Sequence, residues 1–233
     1  MKNSDDLVSV IMSTYNSQEK LAKSIESIIN QSYAEMELLI VDDNSSDKTY
    51  EILKEYSSTH SNIKIFKNSM NIGLTKSLNY LITKASGNFI ARQDDDDESD
   101  LNRISQQVLK MKQYDLDFST TRAKIMGSKK SIPGISYYFP TKSLMRYKNP
   151  FIHGTLLIKK SVLIEIGGYD ENFYYSQDYK LMKDLLAKGY RYKYLNEYLY
   201  VLNTQDNISK TKTAEQRYYA NCVKKNLQPK LIK

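Results

Sequence analysis

The chain has 233 residues, 40% of them hydrophobic, enough to bury the core of one large domain or two small ones, which excludes a largely disordered protein. Its longest apolar runs, LLIVD and VSVIM, fall far short of the ~20 residues a membrane-spanning helix needs, and one cysteine with two histidines excludes both an internal disulfide and a Cys/His zinc cluster. The net charge of +7 is uneven: residues 200–233 hold seven Lys/Arg against two acids, which ranks a solvated face first, anionic lipid headgroups second and nucleic acid a distant third, since no nucleic-acid motif accompanies the charge.

The opening MKNSDDLVSV sets polar and acidic residues where a signal peptide has its apolar core, so a cytoplasmic protein is expected. LVSVIM then reads as a buried strand. SQEKLAKSIESIINQS predicts a helix capped by Ser17, with Leu21, Ile25 and Ile28 on one face. MELLIV is a second strand, DKTYEILKEY a helix, NIKIF a third strand, LTKSLNYLITKA a helix with Gly87 beyond its end, and NFIA a fourth strand. This alternation implies right-handed crossovers and a largely parallel sheet covered on both faces. SDLNRISQQVLKMKQY predicts an amphipathic helix capped by Ser99, with Leu101, Ile104, Val108 and Met111 in one stripe. DFSTTRAKIMG and GTLLIKK read as strands, residues 128–143 as a loop, SQDYKLMKDLLAKG as a helix, and GYRYKYLNEYLYV as a strand with tyrosines at even positions from Tyr190.

In such sheets ligands bind beyond the carboxyl ends of the strands. Three polar clusters fall there and are expected to meet: STYN after the first strand, DDNSSD after the second and DDDD after the fourth. Helix-dipole stabilisation accounts for Asp97, Glu98 and Asp100 around Ser99. Asp94, Asp95 and Asp96 stand too early for that helix, and a divalent cation is the better offset. Hard carboxylates without a neighbouring histidine select Mg2+ or Mn2+, ions that take further oxygens from phosphate or water, so the implied substrate carries a diphosphate.

VSVIMSTYN, VDDNSSDKT, NIGLTKSLN and FIARQDDDDESDLNRI, in that order, resemble the nucleotide-binding half of the family 2 glycosyltransferases with the GT-A fold, and NPFIHGTLLIKKSVLIEIGGYDENFYYSQDYKLMKDLLAKGY resembles their acceptor half. The resemblance implies an α/β chain with a Rossmann-like, mostly parallel central sheet flanked by helices. It divides one domain into a nucleotide-binding lobe at 7–98, a smaller acceptor lobe at 99–200 and a basic helical tail at 201–233. It places Thr14, Tyr15 and Asn16 at the nucleoside, with Tyr15 against the base and Asp43 accepting a hydrogen bond from it, while Asp42 supports its turn. Asn71 and Gly73 match the loop beside the nucleotide. The D-x-D motif falls on Asp94 and Asp96, with Asp96 the direct metal ligand and Asp94 or Asp95 nearer the ribose. Arg92 either faces the diphosphate or pairs with the aspartates.

The same resemblance makes Asp178 the catalytic base, in SQDYKLM, with Gln177 where relatives carry Glu. A helix N-terminus is expected to keep that carboxylate ionised. His153 matches a position near the donor sugar or acceptor, and a satisfied core histidine is its equal alternative. Val201 and Asn203 stand where many relatives carry Arg and a metal-side His. The expected activity is inverting transfer of a hexosyl or N-acetylhexosaminyl unit from a nucleotide-diphosphate sugar, with UDP the expected nucleotide, to a hydroxyl of a glycan or lipid-linked glycan during surface-polysaccharide synthesis. The expected place is the cytoplasm, with peripheral contact at the inner face of an anionic membrane. The alternative from another class is a nucleotide-sugar binding protein whose catalytic site has decayed.

Overall fold

VSVIMST and MELLIVD are almost wholly buried, and both pair in parallel as strands β1 (Val8–Thr14) and β2 (Met36–Asp42) of one sheet. The computed structural model describes residues 6–204 and 213–230. Helix α1 (Leu21–Ile29) follows β1, α2 (Thr49–Thr59) leads from β2 to β3 (Ile63–Lys67), and α3 (Leu74–Lys84) leads to β4 (Phe89–Arg92). These four strands lie in the order β3-β2-β1-β4, all parallel, as the alternation predicts.

Beyond β4 the sheet becomes mixed rather than mostly parallel. The chain runs through β5 (Glu98–Ser99), α4 (Arg103–Gln113), β6 (Phe118–Ile125), β7 (Ser131–Ile132), α5 (Thr141–Leu144), β8 (Leu157–Lys159), α6 (Lys160–Ile166), α7 (Gln177–Ala187), β9 (Tyr192–Leu202) and α8 (Thr213–Lys225). β8 inserts antiparallel between β4 and β6, β9 runs parallel to β6, and β5 closes the edge antiparallel to β9. A short 3-10 turn, His153–Thr155, stands just ahead of β8. The turn lies against the end of β4, where Arg92 N–H donates to Leu156 O over 2.8 Å.

Two apolar layers sandwich the sheet. One face packs Val10, Met12, Leu38 and Ile40 against α1 and α4 residues such as Ile25 and Ile104. The other packs Ile11, Leu39, Ile90 and Ile158 against α3, α6 and α7 residues such as Leu78, Leu163 and Leu185. The even-numbered tyrosines of β9 share this work: Tyr192 stacks on Phe118 at 5.1 Å and Tyr194 on Phe151 at 5.6 Å between ring centroids. On the far side of α7, Tyr219, Cys222 and Val223 of α8 are buried. Of the basic tail, residues 205–212 and 231–233 lie outside the described residues.

Four local expectations need correction. Ser17 does not cap α1, because a turn over residues 18–20 delays the helix to Leu21, and the Ser17 hydroxyl is directed instead at Asp95. Ser99 does not cap α4: it sits in β5, where its hydroxyl donates to Gln93 Oε1 over 2.7 Å, and the helix starts four residues later. Leu101, outside that helix, is 54% exposed and leaves the apolar stripe to Ile104, Val108 and Met111. The 128–143 stretch is not all loop, since β7 pairs with β6 and residues 135–138 form a 3-10 turn.

Candidate active site

The three polar clusters do meet. Asn16 takes a left-handed backbone, φ 51°, a conformation Asn tolerates. From there its N–H donates to Ser45 Oγ over 2.9 Å and its Oδ1 accepts from Ser46 N–H over 2.9 Å. Ser17 N–H donates to Thr49 Oγ1 over 2.8 Å, so the turn after β1 and the turn after β2 are laced together. The Ser17 hydroxyl then donates to Asp95 Oδ2 over 2.5 Å and draws in the end of β4. Thr14 is buried beneath this junction, and its carbonyl accepts from Asp43 N–H. Tyr15, next in the chain, is 49% exposed.

Asp42 and Asp43 divide their work. Asp42 Oδ1 accepts Ser45 N–H over 3.1 Å and supports its own turn, as expected. Asp43 is 3% exposed, and its carboxylate accepts from Asn68 Nδ2, Ile72 N–H and Gly73 N–H at 2.7, 2.9 and 2.8 Å. It therefore holds the loop ahead of α3 against the end of β2. Asn71 is exposed on that loop, and Gly73 needs to be glycine: its φ is 85°, and an added Cβ would stand 2.7 Å from the Tyr174 ring.

Behind the acidic run lies a buried cationic layer of two arginines, of which the sequence marked Arg92 and left Arg103 unmarked. Arg92 is 1% exposed and donates from Nη2 to Asp94 Oδ1 over 2.5 Å and from Nη1 to Ile11 O over 3.1 Å. Of its two expected roles, pairing with the aspartates is the one seen. Arg103 is fully buried, donates from Nη1 to Arg92 O and Gly154 O, and stacks over Tyr200 at 5.4 Å. Burial brings its guanidinium down to about 10. Among the described residues, Arg103 Nε and Nη2 have no hydrogen-bond partner, so much of its charge is left to the nearby carboxylates. A positive layer behind the aspartates is one reason so many acids can crowd one strand end.

Three of the aspartates are raised, each first by burial. Burial raises Asp95 above the usual carboxylate range against the pull of Ser17. Asp96 is pushed up to about 7 by burial and by the charges of Asp95 and Asp94. Asp97, 2% exposed, rises to about 9 from burial and the charges of Asp94 and Asp96, and its Oδ1 accepts Asn203 N–H over 2.7 Å. Asp97 is thus a buried strut tying the run to the end of β9, not a solvated helix-cap charge.

The opposite wall comes from the segment before β8. Asn149 Nδ2 donates to Asp178 Oδ2 over 2.8 Å, and five residues later a Cβ on Gly154 would stand 2.8 Å from Asp94 Oδ2 and 2.2 Å from the Tyr200 hydroxyl. Five Cα steps of ~3.8 Å put Asn149 and Gly154 no more than about 19 Å apart, so one short segment touches both the D-x-D aspartate and the first turn of α7. His153 lies within it, its Nε2 sharing a 2.8 Å hydrogen bond with Tyr169 OH. Burial, helped by Arg92 and opposed by Asp94 and Asp178, brings the imidazole down to about 4, so it is neutral at pH 7. Gln177, 8% exposed, opens α7 after Ser176 in a left-handed turn, φ 57°. Asn149, Tyr169 and Tyr200 went unmarked in the sequence, because an amide in a loop and tyrosines in a Tyr-rich chain carry no distinguishing pattern.

Whether these residues suit a divalent cation follows from the donor set. Asp94 and Asp96 are partly exposed, and burial together with the charges of Asp95 and Asp94 biases Asp96 toward protonation, a bias that a cation relieves. Among the described residues, no three His, Cys, Asp or Glu side chains form a metal-holding group. Two carboxylates with the remaining positions left to phosphate and water suit Mg2+ or Mn2+ and would not suit zinc.

The sequence model described as Glycosyl transferase family 2 matches residues 9–168. The O-antigen biosynthesis glycosyltransferase WbnJ of Escherichia coli is 34% identical over 223 residues, 92% of this chain and 85% of that one. The UDP-Glc:alpha-D-GlcNAc-diphosphoundecaprenol beta-1,3-glucosyltransferase WfaP of the same species is 28% identical over 199 residues, 82% of this chain and 74% of that one. Among solved structures, residues 1–349 of TarS from S. aureus in complex with UDP superpose with a TM-score of 0.76 at 19% identity, covering 96% of this chain and 67% of that one. In a longer TarS structure this chain spans 39% of the length. By its sequence match and its mixed, helix-flanked sheet, the chain belongs to glycosyl transferase family 2 and has the GT-A fold.

Proposed function

We propose that the chain is an inverting glycosyltransferase that uses a nucleotide-diphosphate sugar, with UDP as the nucleotide, and glycosylates a hydroxyl of a lipid-linked glycan in surface-polysaccharide synthesis. The observation that carries this reading is the single segment 149–154, which touches Asp178 at one end and Asp94 at the other. A base and a diphosphate site facing one cleft is the arrangement that displacement at a sugar C1 requires. The names of WbnJ and WfaP support the polysaccharide setting and the lipid-linked acceptor, and the TarS complex supports UDP.

In this reading Tyr15 stacks on the base, and Asp43 holds the 68–73 loop beside the nucleotide. Asp94 and Asp96 hold the divalent cation, which supplies Lewis acidity toward the leaving diphosphate. Asp178 takes the acceptor hydroxyl's proton. Asn149 fixes Oδ2 of that carboxylate and leaves Oδ1 as the accepting atom. His153, neutral, lines the cleft between the two carboxylates without adding charge.

The test is a panel of UDP, GDP and dTDP sugars, scored for Mn2+-dependent release of nucleoside diphosphate by wild type and by Asp178→Asn. One UDP-sugar turned over by wild type alone supports the reading. Metal-dependent UDP binding without turnover of any donor, acceptor extracts included, makes the chain a nucleotide-sugar binding protein instead.

A further inference from the structure

Among the described residues, five of the fifteen exposed large hydrophobic side chains fall within residues 126–147: Met126, Ile135, Tyr138, Phe139 and Tyr147. Four of them are more than half exposed, with Ile135 at 80% and Tyr138 and Tyr147 at 73%. Scattered single apolar residues are ordinary on a protein surface, whereas a group this dense is not. The same stretch is basic. Lys124, Lys129, Lys130, Lys142, Arg146 and Lys148 are all exposed, and residues 124–148 contain no Asp or Glu. At Tyr137 burial raises the phenol first, and the charge of Glu197 raises it further.

The exposure is built rather than slack. Tyr137 OH donates to Tyr194 O over 3.0 Å, Arg122 Nη2 donates to Pro133 O over 3.0 Å with its guanidinium over the Tyr137 ring, and Tyr179 OH donates to Met145 O over 2.5 Å. With its inner side pinned at three points, the segment turns its other side chains outward. Ile135 and Tyr138 are three apart in a 3-10 turn and so share a face. The turn's backbone is satisfied internally, through Tyr137 N–H to Gly134 O and Phe139 N–H to Ser136 O. Exposed aromatic and aliphatic side chains on a stretch that carries six exposed basic residues and no Asp or Glu of its own match a membrane–water interface carrying negative headgroups. A soluble anionic glycan would account for the lysines and leave Ile135 and Phe139 unexplained.

We propose that residues 126–147 form a membrane-docking face that seats on an anionic bilayer. This deepens the transferase reading, since the same stretch runs directly into Asn149 and its bond to Asp178, and a lipid-linked acceptor would meet the base at headgroup level. The basic tail, singled out by its charge in the sequence, is then secondary.

The experiment is sedimentation of the full chain with vesicles of phosphatidylglycerol and phosphatidylcholine, and with phosphatidylcholine alone, at low salt. Wild type is expected in the pellet with the anionic vesicles only. The variant Ile135→Ser/Tyr138→Ser/Phe139→Ser should lower the partition coefficient at least about tenfold, while Lys224→Gln/Lys225→Gln in α8 should change it less than twofold. All five positions are exposed, and an unchanged melting temperature verifies the fold. Wild type left in the supernatant, or equal partitioning of wild type and the loop variant, overturns the proposal. So does a loop variant that keeps vesicle binding but raises KM for a soluble acceptor, which would make this an acceptor surface. Vesicle binding that depends on the loop in a protein that turns over no nucleotide sugar would sink the transferase reading and leave the docking face standing.

Discussion

Asn149 and Asp178 are joined by one 2.8 Å hydrogen bond that ties the approach to β8 to the first turn of α7. If Asp178 is the base, Asp178→Asn should cut turnover by about 10²- to 10⁴-fold, the usual contribution of a positioned base, with UDP affinity unchanged. Asn149→Ala only loosens the carboxylate, so kcat should fall about tenfold while the donor KM stays put. Steady-state kinetics on both variants checks this, and full activity in Asp178→Asn would remove it from the role.

The two D-x-D carboxylates predict a different signature. Asp96→Asn should weaken UDP binding in Mn2+ by at least about tenfold and leave metal-free binding as it was, because it removes a ligand and not a nucleotide contact. Calorimetric titration with and without chelator separates the two. Equal loss under both conditions would mean that Asp96 shapes the cleft instead.

His153 links the site to acid stability. Its folded value, about 4, lies below its ordinary 6.5, so the unfolded chain binds the extra proton first. The associated stability is complete above pH 6.5 and is lost as pH falls toward 4. With some solvent screening at this partly buried ring, the loss should be on the order of 2 kcal/mol. Urea unfolding of wild type and His153→Gln at pH 7.5 and pH 4.5 measures it: the difference between the two proteins should shift in the variant's favour at the lower pH.

Gly154 is a third kind of test. A methyl there meets Tyr200 Oη at 2.2 Å, Tyr200 Cζ at 2.6 Å and Asp94 Oδ2 at 2.8 Å. Tyr200 is fully buried and cannot swing aside. Gly154→Ala should cost about 1–3 kcal/mol in denaturant unfolding and weaken metal-dependent UDP binding through Asp94. Gly154→Ala/Tyr200→Phe should recover part of the stability, since the nearest atom is removed and the ring remains. A Gly154→Ala protein as stable as wild type would contradict the packing.

The first half of the fold was legible because parallel strands covered on both faces read as unbroken apolar runs, and the helices between them show a clear 3.6-residue stripe. The convergence of the turn residues 14–17 with 43–49 and 94–96 followed from topology alone. Two serines misled for one reason: Ser17 and Ser99 precede helices, as caps do, yet their hydroxyls serve Asp95 and Gln93 in the site. Asp97 looked like a solvated charge because neither its burial nor its partner 106 residues away leaves a local mark. Arg103 was hidden similarly, although one signal existed. Arg103 and Gln107 stand four apart beside Ile104, Val108 and Met111, widening that stripe into a polar margin that α4 turns inward.

β8 lies antiparallel between β4 and β6, with a pinned, outward-facing stretch ahead of it and the carboxylates fixed behind. Chemistry and address are therefore separable along the chain. Within residues 126–147 the pinned positions Pro133, Tyr137 and Met145 carry the fold, so the outward side chains between them can change in character without touching a carboxylate of the site.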